Sequence, residues 1–121
     1  MKKKILITGS AGFIGFHLAL HLTKKRKFNV IGIDNFDDYY SVSLKKERNK
    51  ILIKNKNYKF YKIDINNFKE VEKVFKKEKI DFVIHLAAQA GVRYSLINPR
   101  KYINTNIVGF FNVIEISRKF K

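Results

Sequence analysis

The 121-residue chain contains no cysteine. That excludes disulfides and thiolate metal sites, and it leaves the redox compartment unread. No apolar run approaches the ~18 residues that a membrane span requires. The start, MKKKILITGSAGFIG, has the basic-then-apolar order of a signal peptide, but Gly9, Gly12 and Gly15 interrupt it and no small-residue cleavage site follows. The expected location is therefore cytoplasmic. Nor is there a Pro- or Gly-rich linker, an internal repeat or a low-complexity tail, and the length leaves room for one domain at most.

Acidic residues are also scarce. Ten Asp and Glu stand against 26 Lys and Arg, a formal net charge of +16. Such a charge invites a nucleic-acid partner. The lysines, however, are scattered over every segment, with small clusters at Lys2–Lys4, Lys24–Lys27 and Lys45–Lys50 interleaved with Ile, Asn and Phe. That is the composition of an AT-rich genome and a solvated surface rather than a binding stripe. The expectation is no nucleic acid and no membrane, with a positive body that attracts anionic ligands.

What the chain does have is a hydrophobic period that switches repeatedly between strand and helix types. Lys4–Thr8 reads as a buried strand ending in a glycine loop. From Phe13 to about Lys25 a helix follows, with Ile14, Leu18 and Leu22 on one face. Asn29–Asp34 is a second buried strand. Asp37 and Asp38 read as loop, and Ser41 or Ser43 can cap a helix through Leu44–Ile53. Tyr58–Ile65 is a third strand, with Tyr58, Phe60 and Lys62 on one side and Tyr61, Ile63 and Ile65 on the other. Asn67 can cap a helix in which Phe68, Val71, Val74 and Phe75 share a face. Asp81–Ala88 is a fourth strand.

Asn98-Pro99 then places an N-cap before a proline at the first helical position, opening a long helix with Ile103, Ile107, Phe110 and Ile114 on one face. Strands alternating with amphipathic helices predict an α/β fold: a Rossmann-like, doubly wound parallel sheet, truncated at four strands in the order 3-2-1-4.

The loop Gly9-Ser10-Ala11-Gly12-Phe13-Ile14-Gly15 spaces its glycines three apart. Gly9 suits a tight turn off the strand, Gly12 close backbone approach to a pyrophosphate, and Gly15 close packing of the helix on the sheet. The loop opens a helix, so free N–H groups face the phosphates. The alternative is a close-packed strand–helix turn. Context favours the ligand: an acid, Asp34, ends the next strand 19 residues after Gly15, near the spacing of about 20 that suits a ribose-binding carboxylate. A carboxylate there repels a 2′-phosphate, so NAD is expected over NADP. A phosphate-loop NTPase is excluded, because no Gly-Lys-Ser/Thr ends the loop.

The glycine spacing, Asp34-Asn35, Asp64-Ile65, the HLAA run at His85–Ala88, and Asn106 followed by Gly109 together resemble the extended short-chain dehydrogenases. Within them, Ile33–Tyr40 (IDNFDDYY), Ser43-Leu44-Lys45 and above all Ala87–Pro99 (AAQAGVRYSLINP) are similar to the UDP-glucuronate 4-epimerases. The resemblance implies that Gly9, Gly12, Phe13, Ile14, Gly15, Asp34 and Asn35 bind NAD. It further implies that Asp64 and Ile65 hold the adenine, that Leu86, Ala87 and Ala88 line the cofactor, and that Asn106 bonds near the nicotinamide. Each of the last has a bland alternative: Asp64 capping a turn, Ala88 small for packing, Asn106 a helix-to-loop tie. Arg93 is either a substrate-binding cation or an exposed loop arginine.

Enzymes of this group oxidise the sugar C4 hydroxyl by hydride transfer to NAD and return the hydride to the other face. The resemblance implies a nucleotide-sugar substrate and a homodimer for the full-length enzyme. The general base is a tyrosine, with a lysine four residues on along a helix. In this group that pair lies beyond residue 121, so residues 1–121 are expected to be the N-terminal part of the dinucleotide domain, without the substrate domain and inactive alone. Tyr58 and Lys62 have the spacing, but on a strand four residues span roughly 13 Å. No residue in the chain is a catalytic candidate. A 4,6-dehydratase, a UDP-N-acetylglucosamine 4-epimerase and a non-catalytic NAD module remain as alternatives. No metal site is expected: His17 and His21 lack a third ligand, and His85 alternates with apolar strand residues.

Overall fold

The computed structural model describes all residues 1–121. Four strands, β1 (Lys3–Thr8), β2 (Phe28–Asp34), β3 (Tyr58–Lys62) and β4 (Phe82–His85), alternate with helices α1 (Phe13–Lys24), α2 (Val42–Ile53) and α3 (Phe68–Glu78). The strands form one parallel sheet in the order β3-β2-β1-β4, as expected from the alternation of periods. Both β3 and β4 are shorter than expected, because Ile63–Ile65 and Leu86–Ala88 leave the sheet as loops. After β4 come a single 3-10 turn at Arg93–Leu96 and one continuous helical run. That run comprises α4 (Pro99–Tyr102), a π-helical stretch at Ile103–Gly109, and α5 (Phe110–Lys119).

Alternation along the strands feeds two cores. Ile5, Ile7, Val30 and Tyr58 point to the face covered by α1 and α2, where they meet Phe16, Ala19 and Leu52. Leu6, Ile31 and Ile33 point the other way and pack on Val71, Val74 and Phe75 of α3 and on Ile116 of α5. The helix starts follow local chemistry: Ser41, Asn67 and Asn98 each accept an amide hydrogen of the first turn through the side chain, satisfying donors that the helix itself leaves unpaired.

One helical face differs from the sequence expectation. Ile14 is 66% exposed and Leu18 and Leu22 are only partly covered; α1 instead buries Gly15, Phe16, Ala19 and Thr23. The cause is close approach. A Cβ at Gly15 would stand 2.0 Å from the Gly9 carbonyl oxygen, so the helix lies on the glycine turn along its small residues, Gly15, Ala19 and Thr23, spaced four apart. In the last helical run Gly109, Asn112, Val113 and Ile116 face inward, and Ile103, Ile107, Phe110 and Ile114 are about half-exposed. No helix is long and apolar enough to cross a membrane, and no cluster of potential metal ligands exists.

Candidate functional site

The glycine turn sits at the carboxyl end of β1, flanked by the loops leaving β2 and β4. Gly9 adopts φ +74°, and a Cβ there would lie 2.8 Å from the Ala87 amide nitrogen. Only glycine fits at that contact. Gly12 is the N-cap of α1 without any side-chain cap, and the N–H groups of Phe13, Ile14 and Gly15 have no backbone partner in the chain. Three free donors and the positive end of the helix dipole thus converge on one spot, as an anion site requires.

The turn is fastened from three sides. Asp34, 8% exposed, accepts from the Ala11 amide at 3.0 Å and from the Phe36 amide at 2.8 Å. Arg48 on α2 donates to the Ala11 carbonyl at 3.1 Å. Thr8 completes the set: its hydroxyl oxygen accepts from the Leu86 and Ala87 amides at 3.0 and 3.1 Å. With both lone pairs taken, that hydroxyl donates its hydrogen to His85 Nδ1, 2.7 Å away. Burial lowers the His85 pKa, which keeps the ring in the neutral form that accepts this bond. Thr8 and Arg48 carry no motif signal and escaped the sequence reading.

An ionised carboxylate offers about four acceptor positions. Asp34 therefore keeps capacity for two hydroxyl donors after its two backbone bonds. Beside it lies an open hollow of about 580 Å³ lined by Asn35, Phe36, Asp37, Asp38, Lys62, Ile63 and Asp64. Phe36, held at φ +55°, stacks on Phe60 with centroids 5.3 Å apart. Asp64 is exposed to the hollow and accepts from Asn35 Nδ2 at 3.2 Å and from the Asn66 amide at 2.8 Å. It caps a turn and still lines the hollow. Ile65 does not line it: the side chain is buried against Gly109, where a Cβ would come within 2.5 Å of Ile65 Cδ1.

On the other side, Leu86 and Ala87 are half-buried and Ala88 is exposed. Asn106, in the π-helical stretch, accepts from the Gln89 amide at 2.8 Å and donates to the Gln89 carbonyl at 3.2 Å. Both ends of its amide are committed to that helix-to-loop tie. Arg93 is exposed and opens the 3-10 turn. Tyr58 and Lys62 lie on β3, on one strand edge rather than one helical turn. A turn with free N–H groups, a buried carboxylate with spare acceptor positions and an adjoining hollow lie along the strand ends, an arrangement that fits a dinucleotide.

The sequence pattern of the GDP-mannose 4,6 dehydratase family matches residues 6–121. The chain is similar to Protein CapI of Staphylococcus aureus, 56% identical over 97% of this chain and 34% of that protein. It is also similar to the UDP-glucuronate 4-epimerase of Thermodesulfobacterium geofontis, 48% identical over 95% of this chain and 35% of that one. Among solved structures it is similar to the UDP-glucuronic acid 4-epimerase of Bacillus cereus in complex with UDP-glucuronic acid and NAD. There the TM-score is 0.86 at 38% identity, covering 93% of this chain and 35% of that chain. The chain spans about a third of the length of the relatives it matches.

Proposed function

The chain belongs to the GDP-mannose 4,6-dehydratase family, a branch of the extended short-chain dehydrogenases, and from that premise we propose that it is the NAD-binding N-terminal part of a UDP-glucuronate 4-epimerase. The observation that carries the reading is the pairing of three free N–H groups at the glycine turn with the buried carboxylate of Asp34 one strand away. The first suits a pyrophosphate and the second a ribose diol.

In this assignment Gly9, Gly12, Phe13, Ile14 and Gly15 receive the pyrophosphate, Asp34 and Asn35 the adenosine ribose, and Asp64 the adenine edge. Ile65 supports Asp64 from behind through its packing on Gly109. Leu86, Ala87 and Ala88 line the path toward the nicotinamide. Asn106 acts there by fixing the Gln89 backbone. Arg93, exposed beside the crevice, is the candidate for a substrate carboxylate or diphosphate. NAD, when bound, supplies the hydride acceptor and donor for transient oxidation at the sugar C4. The tyrosine–lysine pair comes from the part of the enzyme that follows residue 121. A cytoplasmic location and a homodimeric full-length enzyme belong to the same proposal.

Titration calorimetry with NAD and NADP tests the cofactor assignment. NAD should bind more tightly than NADP, because Asp34 repels a 2′-phosphate, and Asp34→Ala should narrow the gap. Equal affinity of the unmutated protein for the two would remove Asp34 from this role.

A further inference from the structure

The loops leaving β2 and β4 stand on either side of the glycine turn, and side chains tie them to each other across it. Lys101 Nζ lies 2.6 and 3.0 Å from the two carboxylate oxygens of Asp37, 64 residues away in sequence, and 3.6 Å from Asp38. The pair is mostly sheltered, with side chains 30% and 24% exposed. The same ammonium stands 5.8 Å from the Tyr94 ring centroid, close enough for a cation–π contact. Tyr39 adds a second tie. Its ring lies 4.8 Å from that of Tyr94, and it abuts Gly91, where a Cβ would come 2.1 Å from the Tyr39 hydroxyl.

Both ends of this bridge are anchored. Lys45 of α2, buried, donates to the Asp37 carbonyl at 2.6 Å. On the far side the Tyr102 hydroxyl donates to the Ala90 carbonyl at 3.0 Å and to that of Gly91. Lys101 is not among the residues assigned to the dinucleotide, whereas Asp37 also lines the hollow beside Asp34, so Lys101→Met is the cleaner probe. Asp37 is three residues from Asp34, and Lys101, on α4, reaches the loop that leaves β4 at Leu86 through its contact with Tyr94.

We propose that the Asp37–Lys101 pair is a latch joining the two rims of the dinucleotide crevice, and that its opening sets the rate at which NAD is released. The proposal rests on the NAD reading above. A dinucleotide laid across the ends of β2, β1 and β4 lies between these two loops, and a tie that holds them together slows its exchange. A reaction that takes a hydride and gives it back regenerates NAD within each cycle. Slow release then costs no turnover and prevents loss of the cofactor while it is reduced.

Stopped-flow displacement of bound NADH by excess NAD, followed by the fluorescence of NADH itself, reads the latch with an unmodified adenine. Lys101→Met and Asp37→Asn should each speed release about two- to fivefold, the scale of a partly exposed ion pair. Lys101→Arg and the exchanged pair Asp37→Lys with Lys101→Asp should restore slow release. Hydrogen exchange without any nucleotide should show faster exchange of amides 36–41 and 89–95 together in Lys101→Met, with β3 and α3 unchanged, which also certifies that the variant folds. NADH binding with release unchanged in both single variants would overturn the latch and leave the cofactor reading intact. Failure of the unmutated protein to bind NADH or NAD would overturn the cofactor reading and the latch with it.

Discussion

Removing one oxygen atom from Tyr58 should make this protein more stable. The ring of Tyr58 is 7% exposed and packs in the core with Val30, Leu52 and Phe16. Its hydroxyl has no hydrogen-bond partner, and neither does the nearby Ser10 hydroxyl in the glycine turn. Gly32 makes this crowding possible: a Cβ there would stand 2.0 Å from the Tyr58 hydroxyl and 2.6 Å from Ser10 Oγ. Burial pushes the Tyr58 pKa up to about 12, with the Ser10 hydroxyl opposing the shift and the charge of Asp34 adding to it. The hydroxyl is neutral and buried, and the Ser10 hydroxyl beside it is close enough to oppose the shift yet lies outside hydrogen-bonding geometry.

An unpaired buried hydroxyl costs about 1–3 kcal/mol, whereas a made hydrogen bond contributes about 0.5–1.5 kcal/mol. The two cases differ in sign, so Tyr58→Phe is decisive. It keeps every ring contact and deletes only the unpaired group. The expected gain is about 1 kcal/mol or more, which for a chain of this size raises the melting temperature by roughly 4 °C per kcal/mol. Ser10→Ala should act in the same direction, with a coupling to Tyr58→Phe smaller than a shared hydrogen bond between the two hydroxyls would give. Urea unfolding followed by circular dichroism gives both numbers. A loss of stability in Tyr58→Phe, with non-additivity toward Ser10→Ala, would show that the two hydroxyls bond each other and would refute the reasoning.

Two further outcomes follow from the same geometry. His85 is neutral in the folded chain because burial holds its pKa below the usual value; the unfolded chain takes up a proton below about pH 6.5 and the folded chain does so only at lower pH. Stability should thus fall as pH drops through that window, and the urea midpoint of His85→Asn should vary less between pH 7.5 and 5.5; an equal slope in the variant would reject this. The half-exposed face of Ile103, Ile107, Phe110 and Ile114, with Phe82 beside it, should bind a hydrophobic dye. Ile107→Glu with Ile114→Glu should weaken that binding while helical dichroism persists, and dye binding unchanged by the pair would place the exposed apolar surface elsewhere.

Which parts of this molecule can be read from its sequence depends on the range over which the signal is written. Strands announce themselves locally through β-branched runs such as Lys4–Thr8, and helix starts through Ser41, Asn67 and Asn98. The chain order of the elements then restricts the sheet to 3-2-1-4. The stripe on α1 failed because apolar spacing counts bulk, while the packing there is decided by the absence of bulk. Gly15 presses against the Gly9 carbonyl, so Ala19 and Thr23 go inward and the larger Ile14 goes out. Gly109 does the same against Ile65, which keeps Ile65 out of the hollow beside Asp34 and leaves Ile103 and Ile107 half-exposed.

The site divides along the same line. Asp34 was legible because its distance from Gly15 along the chain reflects one crossover connection. Thr8, Arg48 and the Asp37–Lys101 pair were not, because each joins elements whose separation in sequence follows no period. Arg48 holds the carbonyl of Ala11, whose amide donates to Asp34, and Thr8 ties the ends of β1 and β4 together. The donors at Phe13, Ile14 and Gly15 are consequently held in place before any ligand arrives. Binding then need not bear the entropy of ordering the turn, and the specificity carried by the motif acts through a turn that residues outside the motif hold rigid.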